Sequence, residues 1–324
     1  MAFLTKDKVR RRKIFTLNII SLNESITNDT QFIIEYNNIL YNPDYRDDVF
    51  FSFFDLLRNG PIKFDELQLH AFDVNNAPDI ETMASSNKFH YLCEKTSKTN
   101  FADLSDFTNN PDDFLLTLSK NKREQIRRSI RFFEKLGESN MEIASSKDQA
   151  LKYFNAMGKL HQAYWTSKGR PGSFSNDTWT EFHKHLITNN PDNIQLIKLS
   201  FGDHVVGYLY NFIDSTSVYS MQSGFNYGKD KNDRPGLVLH YYAIYHAICS
   251  KQQKYDFLVG DAQYKRSLSN AFNTCAWIQV QNKTIPVIME NMSVKCYRFL
   301  KNTLKPITNT FLHLIKRNGN LSIK

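Results

Sequence analysis

The feature that most constrains the fold is a run of three strands, one helix and one further strand between residues 194 and 259. The stretch "IQLIKLSFGDHVVGYLYNFI" alternates apolar residues on both sides of Gly202 and Asp203, which predicts a β-hairpin. "TSVYSMQSGFN" predicts a third strand, "LVLHYYAIYHAICS" a helix, and "KYDFLV" a last strand. Because a helix that bridges two strands of one sheet makes them parallel neighbours, the pattern predicts an α/β fold with a mixed sheet.

Amphipathic helices precede this block. "DDFLLTLSKNKREQIRRSIRFFEKLG" has acidic residues in front and basic residues through its body, the charge order that a helix dipole favours. Further helices are predicted over about 148–167 and over "DTWTEFHKHLI", which Ser175 or Asn176 can cap. In the first hundred residues, "FTLNIISLNES" and "KFDELQLHAF" predict strands, and "DDVFFSFFDLLRN" predicts a helix. We therefore divide the chain into residues 1–111, residues 112–290 and a basic amphipathic tail, residues 291–324.

The net charge of +8 is located at the two ends of the chain. Residues 1–13 carry +5 and residues 290–324 carry +6, which leaves −3 for the rest. The body therefore lacks the charge of a DNA-binding protein, and we expect no DNA partner. The basic ends either attract a polyanionic surface, phospholipid or RNA, or are simply solvated. The tail has apolar residues at helical spacing, which predicts docking on the protein, with peripheral contact at the inner face of a membrane as the alternative.

Cysteine usage and the N-terminal sequence bear on compartment. Cys93, Cys249, Cys275 and Cys296 form no C-x-x-C pair, which predicts neither a disulfide framework nor a metal site and favours a reducing cytoplasm. The start "RRRKIFTLNIISL" is interrupted by Asn18 and lacks a small-residue cleavage site, so we expect no signal peptide. No stretch approaches the roughly 20 apolar residues of a membrane span.

Polar residues gather where the last strand of the block ends, in "KYDFLVGDAQYKRSL". Asp261 follows the carboxyl end of the strand, where ligands collect in α/β sheets. Lys265, four residues on, would pair with Asp261 on one face of a helix. Asp256, Asp261 and His240 are the candidates for a proton acceptor. The alternatives are a structural ion pair for Asp261 and a packed or capping histidine, in the first turn of its helix, for His240.

The junction between "NDRPG" and the following helix is a candidate phosphate site. Pro235 suits a first helical position, and Gly236 lets a ligand approach the backbone closely. The free N–H groups of a helix start, here near Leu237, bind phosphate, and Arg234 adds a cation. The alternative is an ordinary Pro-Gly helix start.

Six segments in this order resemble the GNAT acyltransferase fold, and more narrowly the branch with the CelD-type proteins of cellulose biosynthesis and the FemAB peptidyltransferases. They are "LSKNKREQIRRSIRFFEKLG", "LHQAYWTSKGRPGSFSNDTWTEFHKHLI", "VVGYLYNFI", "YSMQSGFN", "RPGLVLHYYAIYHAI" and "YDFLVGDAQYKRSL". Together they extend from about Leu118 to Leu268, and "TLNES…IEYN" is similar more weakly. The resemblance implies two GNAT-like halves packed together, the C-terminal half better preserved. The usual loop pattern Q/R-x-x-G-x-G/A is reduced here to a single glycine.

The resemblance also implies a chemistry. It implies transfer of an acyl group from acetyl-CoA or another acyl-CoA to an amine or hydroxyl of a carbohydrate, exopolysaccharide or peptidoglycan precursor, without a metal. The pantetheine arm would lie between strands 217–225 and 255–259, where a bulge at Ser223 and Gly224 would aim a backbone N–H at the thioester oxygen. The implied cofactor-binding residues are Gln222, Ser223, Gly224, Arg234, Gly236 and Leu237. The implied acceptor-binding residues are Trp165, Lys168, Arg170, Tyr264 and Arg127.

Two other functions stay open. One is a FemAB-like transferase that uses aminoacyl-tRNA, with Arg127 and Arg128 near the tRNA acceptor end; the acidic body and the lack of a long helical arm weigh against it. The other is a non-catalytic GNAT-like subunit of polysaccharide synthesis or export. The single-glycine loop favours this third function, whereas the polar cluster at residues 255–266 opposes it.

Overall fold

The computed structural model describes residues 1–24, 34–75, 79–107, 110–297 and 299. The strands are β1 (Leu4–Arg11), β2 (Phe15–Leu22), β3 (Glu66–Asp73), β4 (His90–Asp103), β5 (Ser139–Ile143), β6 (Ile194–Phe201), β7 (His204–Ile213), β8 (Ser217–Phe225), β9 (Lys254–Val259) and β10 (Ala271–Gln281). The helices are α1 (Arg46–Asn59), α2 (Ile80–Ser86), α3 (Phe114–Thr117), α4 (Lys120–Glu134), α5 (Lys147–Ser167), α6 (Asp177–Asn189), α7 (Pro235–Cys249), α8 (Gln263–Ser267) and α9, helical over residues 285–297.

The described residues form a mixed α/β fold with one ten-stranded sheet. Its strand order is β1-β2-β3-β10-β4-β9-β8-β7-β6-β5. The predicted hairpin is confirmed, since β6 and β7 pair antiparallel on either side of Gly202. The predicted parallel pair is confirmed too, because β8 pairs with β9 from Ser217 opposite Lys254 to Tyr219 opposite Asp256. Helix α7 makes the connection between them.

Alternation along β6 and β7 places helices on both faces of the sheet. Ile197 and Leu209 are buried in the cluster that contains residues of α4 and α7. Their neighbours Leu196 and Tyr210 point the other way and pack with Phe154 of α5. Because successive strand residues face opposite sides, α4 and α7 cover one face and α5 covers the other.

The helix starts follow local hydrogen-bonding chemistry. The side chain of Asn176 accepts the Trp179 N–H and caps α6, as one of the two predicted caps. The single helix predicted from Asp112 is instead two helices: Leu118 is extended, and Ser119 caps α4 by accepting the Lys122 N–H. The serine hydroxyl competes with the helical backbone here, which explains the break.

The N-terminal basic segment is structured where it was expected to be a solvated end or a polyanion contact. Strand β1 pairs along its whole length with β2, from Leu4 opposite Leu22 to Arg11 opposite Phe15. Helices α1 and α2 pack on β2, β3 and β10 in a second hydrophobic cluster. Strand β10 lies between β3 and β4, so residues 271–281 pair with strands of the first hundred residues. The division at residues 111 and 290 stays a prediction.

Helix α9 docks on the sheet through one of its faces. Val287 is buried against Leu17 and Ile19 of β2. Arg11 donates to Glu66 at 3.0 Å and lies 3.5 Å from Glu290 of α9. Both contacts come before the predicted tail, residues 291–324. In the tail, Asn291 donates to the Gln281 side chain at 2.9 Å. Residues 298 and 300–324 lie outside the described residues, so docking of the tail stays a prediction. In the part of the chain that the structure describes, no helix has the length and apolar character needed to cross a bilayer.

Candidate functional site

The candidate site is the place where β8 and β9 part. Their pairing covers Ser217–Tyr219 and Lys254–Asp256. Beyond it, β8 stays paired with β7 as far as Phe225, whereas β9 stays paired with β4 as far as Val259. Two parallel strands that diverge leave backbone groups able to pair with an extended ligand. This geometry agrees with the gap that the resemblance implies.

Asp256 lies where the gap begins, opposite Tyr219, and is completely buried. Its Oδ2 accepts the phenolic hydrogen of Tyr36 at 2.6 Å and lies 3.3 Å from the Lys254 ammonium. Its Oδ1 accepts the Leu258 N–H at 2.7 Å. Because the Tyr36 hydroxyl has one hydrogen, the Thr99 hydroxyl at 2.7 Å donates to Tyr36 in turn. A carboxylate with three partners is held in place, which suits a positioning role better than proton transfer.

Glu35 lies beside this cluster, and the sequence analysis did not identify it. Its Oε2 accepts the Val259 N–H at 3.0 Å. Burial raises the pKa of Glu35 to about 7; the Val259 N–H and nearby Lys265 oppose that rise, while Asp256 adds to it. A carboxyl group with a pKa near neutrality is suited to accept and return a proton.

The backbone of β9 is strained between Asp256 and Val259, whose N–H Glu35 accepts. Leu258 has a φ of 61°, in the left-handed region that a leucine rarely adopts. The pairing register between β9 and β4 shifts at this point. The Leu258 N–H that Asp256 accepts holds the bulge in place. Strain of this kind persists where the surrounding structure fixes it, and it clusters at functional sites.

The predicted pair of Asp261 and Lys265 is wrong. Helix α8 begins at Gln263, so Asp261 lies before it and the two side chains do not share a helix face. Asp261 instead pairs with Arg266 at 2.6 Å, with both side chains more than half exposed. Lys265 turns inward and donates to the Val259 carbonyl at 2.8 Å. Burial lowers the pKa of Lys265, while Glu35 and Asp256 oppose that shift.

His240 lies on the opposite side of β9 from Asp256. It is the sixth residue of α7, in the second turn rather than the predicted first turn. Its Nδ1 lies 3.0 Å from the Tyr255 hydroxyl, and its ring stacks on Tyr264. Among the described residues, its buried Nε2 finds no hydrogen-bond partner. Burial lowers the pKa of His240 to about 3, so the imidazole is neutral at physiological pH.

The bulge in β8 is two residues earlier than predicted. Tyr210 lies opposite Gln222 and Asn211 opposite Ser220, so Met221 is the extra residue. Ser223 and Gly224 pair regularly with β7. Gly224 is nevertheless required, because a Cβ there would lie 2.2 Å from the Met157 carbonyl oxygen of α5.

Histidine 161 fixes the loop between α5 and α6 to β8. Its Nε2 accepts the Ser173 N–H at 3.2 Å, so its Nδ1 carries the proton and donates to the Ser223 carbonyl at 3.0 Å. Gln222 reinforces this connection, donating to the Ser173 hydroxyl at 3.1 Å. Gln222 and Ser223, two of the predicted cofactor-binding residues, are therefore held by the loop between α5 and α6.

The start of α7 collects positive charge. Arg234 is its N-cap residue and donates from Nε to the Lys231 carbonyl, and Leu237 lies in its first turn. A Cβ on Gly236 would lie 3.0 Å from the Phe225 ring, so strand and helix approach closely here. Burial and the neighbouring Arg234 lower the pKa of Lys122 on α4. Two cations close together at a helix start suit an anion, and the sequence analysis did not include Lys122.

The structure separates the predicted acceptor-binding residues. Trp165 lies near the end of α5 beside His161, and Lys168 and Arg170 follow it as exposed residues. Arg127 pairs with Glu124 on α4, which covers the other face of the sheet. Tyr264 stacks on His240 and is 44% exposed, so it reaches the surface beside the gap. Arg127 is therefore not grouped with Trp165.

The site draws residues from both ends of the chain. Tyr36 and Glu35 contact Asp256 and Val259, which are more than 200 positions away in sequence. In the sequence, Glu35 and Tyr36 belong to the weakly similar segment "IEYN", and no spacing links that segment to β9. Within the described ranges, no cluster of three or more His, Cys, Asp or Glu side chains could hold a metal.

Comparison with protein families identifies one domain. Residues 120–266 match the family described as "Acetyltransferase (GNAT) domain". The match confirms the resemblance, and its range includes α4 to α8. A comparison with curated proteins found no match.

Solved structures share this fold over most of the chain. FemX is 10% identical, with a TM-score of 0.56, and the match covers 87% of this chain and 84% of FemX. L-PGS from Bacillus licheniformis is 10% identical, with a TM-score of 0.50 and coverage of 88% and 87%. The C-terminal domain (DUF2156) of a putative lysylphosphatidylglycerol synthetase from Agrobacterium fabrum is 8% identical, with a TM-score of 0.50 and coverage of 89% and 88%. At these identities the likeness shows the fold alone.

Proposed function

We propose a function on the premise that the chain carries a GNAT acetyltransferase domain, which residues 120–266 match. The chain transfers an acyl group from an acyl-CoA, acetyl-CoA first among them, to an amine or hydroxyl of a carbohydrate or cell-envelope precursor. The observation that carries this proposal is the divergence of β8 and β9 after Tyr219 and Asp256. A parallel pair that opens beside the start of a helix offers a slot for an extended thioester arm and a cationic end for its phosphates.

The residues at the start of α7 fit a phosphate group. Arg234 and Lys122 lie close enough for one to lower the pKa of the other. Such repulsion is relieved when an anion binds between the two cations. Gly236 keeps the backbone close to Phe225 and accessible at the helix start. When bound, the acyl-CoA would supply the activated carbonyl; Arg234, Lys122 and the first turn of α7 would hold its phosphates.

Glu35 is the best candidate for the proton acceptor. It has a pKa of about 7 and accepts from the backbone of the strained segment at Val259. Lys265, which donates to the carbonyl of the same residue, supplies a positive charge near the reacting group. Asp256 orients Tyr36 and Lys254, and His240 stays neutral behind β9. In this assignment the acceptor loses its proton to Glu35, on the side of β9 opposite His240.

The finer description of the fold, two GNAT-like halves packed together, is part of the same proposal. Two separate hydrophobic clusters support it, one under α1 and α2 and one under α4 and α7. The contacts of Tyr36 with Asp256 and Thr99 support a site at the junction of these proposed halves.

A second candidate function is aminoacyl transfer from a charged tRNA. The observation in its favour is that FemX and L-PGS match most of this chain, beyond the range of the GNAT domain. The same acceptor chemistry would serve both donors, because an ester of tRNA and a thioester of CoA each present an activated carbonyl. The donors differ in how they are held.

The test is a titration of the full chain with acetyl-CoA, a long-chain acyl-CoA and charged tRNA, followed by calorimetry. We expect an acyl-CoA to bind, and Arg234→Gln combined with Lys122→Gln to weaken that binding by about tenfold or more. Lys159→Gln, an exposed lysine on α5, is the matched control. If charged tRNA binds and no CoA ester does, the donor is an aminoacyl-tRNA and the acyl-CoA proposal fails. If neither charged tRNA nor a CoA ester binds, a non-catalytic subunit is favoured.

A further inference from the structure

Helix α9 presents two different faces. Val287 and Glu290 are buried on the sheet side, where Val287 packs on Leu17 and Ile19 and Glu290 lies near Arg11. The opposite face is apolar and points away from the protein. Ile285, Ile288, Met289 and Met292 follow the i, i+3, i+4, i+7 spacing of one helical stripe. Their exposed fractions are 74%, 46%, 54% and 64%.

An exposed stripe of this kind requires a partner. Single exposed apolar residues are common on protein surfaces, but contiguous large ones mark an interface. The docked face already accounts for the attachment of α9 to the sheet, so the stripe is not needed for folding. Over the described helix, residues 285–297, the outward face carries no acidic side chain.

Positive charge surrounds the stripe. Lys283 and Lys295 of the α9 segment are exposed on either end of it. The β1–β2 hairpin, joined to α9 through Arg11, ends in exposed Arg12 and Lys13 beside Ile14, which is 74% exposed. The surface is thus apolar at its centre and basic at its rim.

We infer that this surface docks on an anionic lipid bilayer, with α9 lying in the plane of the headgroups. An interfacial helix combines an apolar face that enters the acyl boundary with flanking Lys and Arg that contact anionic headgroups. A second copy of the chain is a poorer partner, because two copies would bring identical basic rims together. Residues 300–324 carry five Lys or Arg and no Asp or Glu, so their charge does not complement the rim either.

The test is flotation of the full chain with vesicles of phosphatidylcholine alone or with about one third phosphatidylglycerol. We expect binding to the anionic vesicles, weakened by salt. Ile288→Gln combined with Met292→Gln should reduce the partition coefficient about tenfold or more. Phe51→Gln is the matched control, since Phe51 is 65% exposed on α1, which packs on the face of β2 opposite to α9. Arg12→Asn with Lys13→Asn should weaken binding, and asparagine tolerates the positive φ of both positions.

Several outcomes would overturn the inference. They are equal binding to neutral and anionic vesicles, no binding to either, and unchanged binding of the Ile288 and Met292 variant. Dimerisation of the wild type that this variant abolishes would identify a second copy as the partner. Binding of RNA in place of vesicles would assign the basic rim to a nucleic acid. Thermal unfolding of each variant shows whether the fold is intact, and acyl-CoA binding tests the proposed function separately.

Discussion

Tyr36 donates its phenolic hydrogen to Asp256 at 2.6 Å, a bond between residues 220 positions apart. Lys254 approaches the same carboxylate at 3.3 Å and its ammonium also lies over the ring of Tyr219. The bond connects the segment after β2 to the strand that ends in the candidate site. Folding of the N-terminal residues and formation of the site are therefore coupled.

Replacing Tyr36 with phenylalanine should destabilise the protein by about 1–3 kcal/mol, because a fully buried carboxylate loses a hydrogen-bond donor. Urea unfolding of Tyr36→Phe against the wild type measures this change. Tyr45→Phe is the control, since Tyr45 is 60% exposed. Equal free energies of unfolding for the two variants would show that the bond does not stabilise the fold.

Glu35 gives stability a specific pH dependence. Burial raises its pKa from an ordinary value of 4.5 to about 7, so its stabilising contribution is complete below pH 4.5 and is lost as pH rises through 7. Glu35→Gln removes this titration. As pH rises from about 5 to about 8, the wild type should therefore lose about 2–3 kcal/mol of unfolding free energy that the variant keeps.

The measurement is urea unfolding of both proteins at several pH values. Glu181→Gln serves as the control, because the Glu181 side chain is 71% exposed. A constant difference between Glu35→Gln and the wild type across this range would mean that Glu35 titrates normally, and its assignment as proton acceptor would fail.

The sequence predicted the elements whose signals are local. The β6–β7 hairpin, the parallel pair β8–β9 and the capping of α6 follow from periodicity, turn residues and cap chemistry over windows of about twenty residues. The start of α8 is equally local but was placed too early. As a result, Asp261 was paired with Lys265 although it bonds Arg266.

The candidate site was predicted only in part, for a physical reason. Asp256 was identified from its position on β9, but its partner Tyr36 comes from the segment after β2, and the Thr99 hydroxyl that bonds Tyr36 comes from β4. Strand β10 inserts between β3 and β4, a pairing of distant segments that no local pattern records. The φ of Leu258 is likewise imposed by the surrounding contacts and contradicts the local preference of leucine.

Buried histidines should make the protein sensitive to acid. Burial lowers the pKa of His183 to about 4, and its Nδ1 lies 3.1 Å from the Tyr210 hydroxyl. In the unfolded chain His183 binds a proton near pH 6.5, whereas in the folded state it does so only near pH 4. Its contribution to the free energy of unfolding is therefore complete above pH 6.5 and is lost as pH falls towards 4. His183 alone should cost roughly 2 kcal/mol at the acid end of this range.

Proton titration of the imidazoles by NMR, together with urea unfolding from pH 7 to pH 4.5, measures this effect. The exposed His185, on the same helix, provides the comparison. If His183 were protonated as readily as His185, the buried environment assigned to it would be wrong.

Lys265 and Asp261 should respond in opposite ways to substitution. Asp261 and Arg266 are both more than half exposed, and such surface pairs contribute less than about 1 kcal/mol. Asp261→Asn should therefore leave both stability and acyl transfer unchanged.

Lys265→Met removes the donor to the Val259 carbonyl and the positive charge beside Glu35. It should lower the rate of acyl transfer about tenfold or more and raise the pKa of Glu35, which a shift of the pH–rate profile to higher pH would report. Loss of transfer in Asp261→Asn with an intact fold would instead return the proton-transfer role to Asp261.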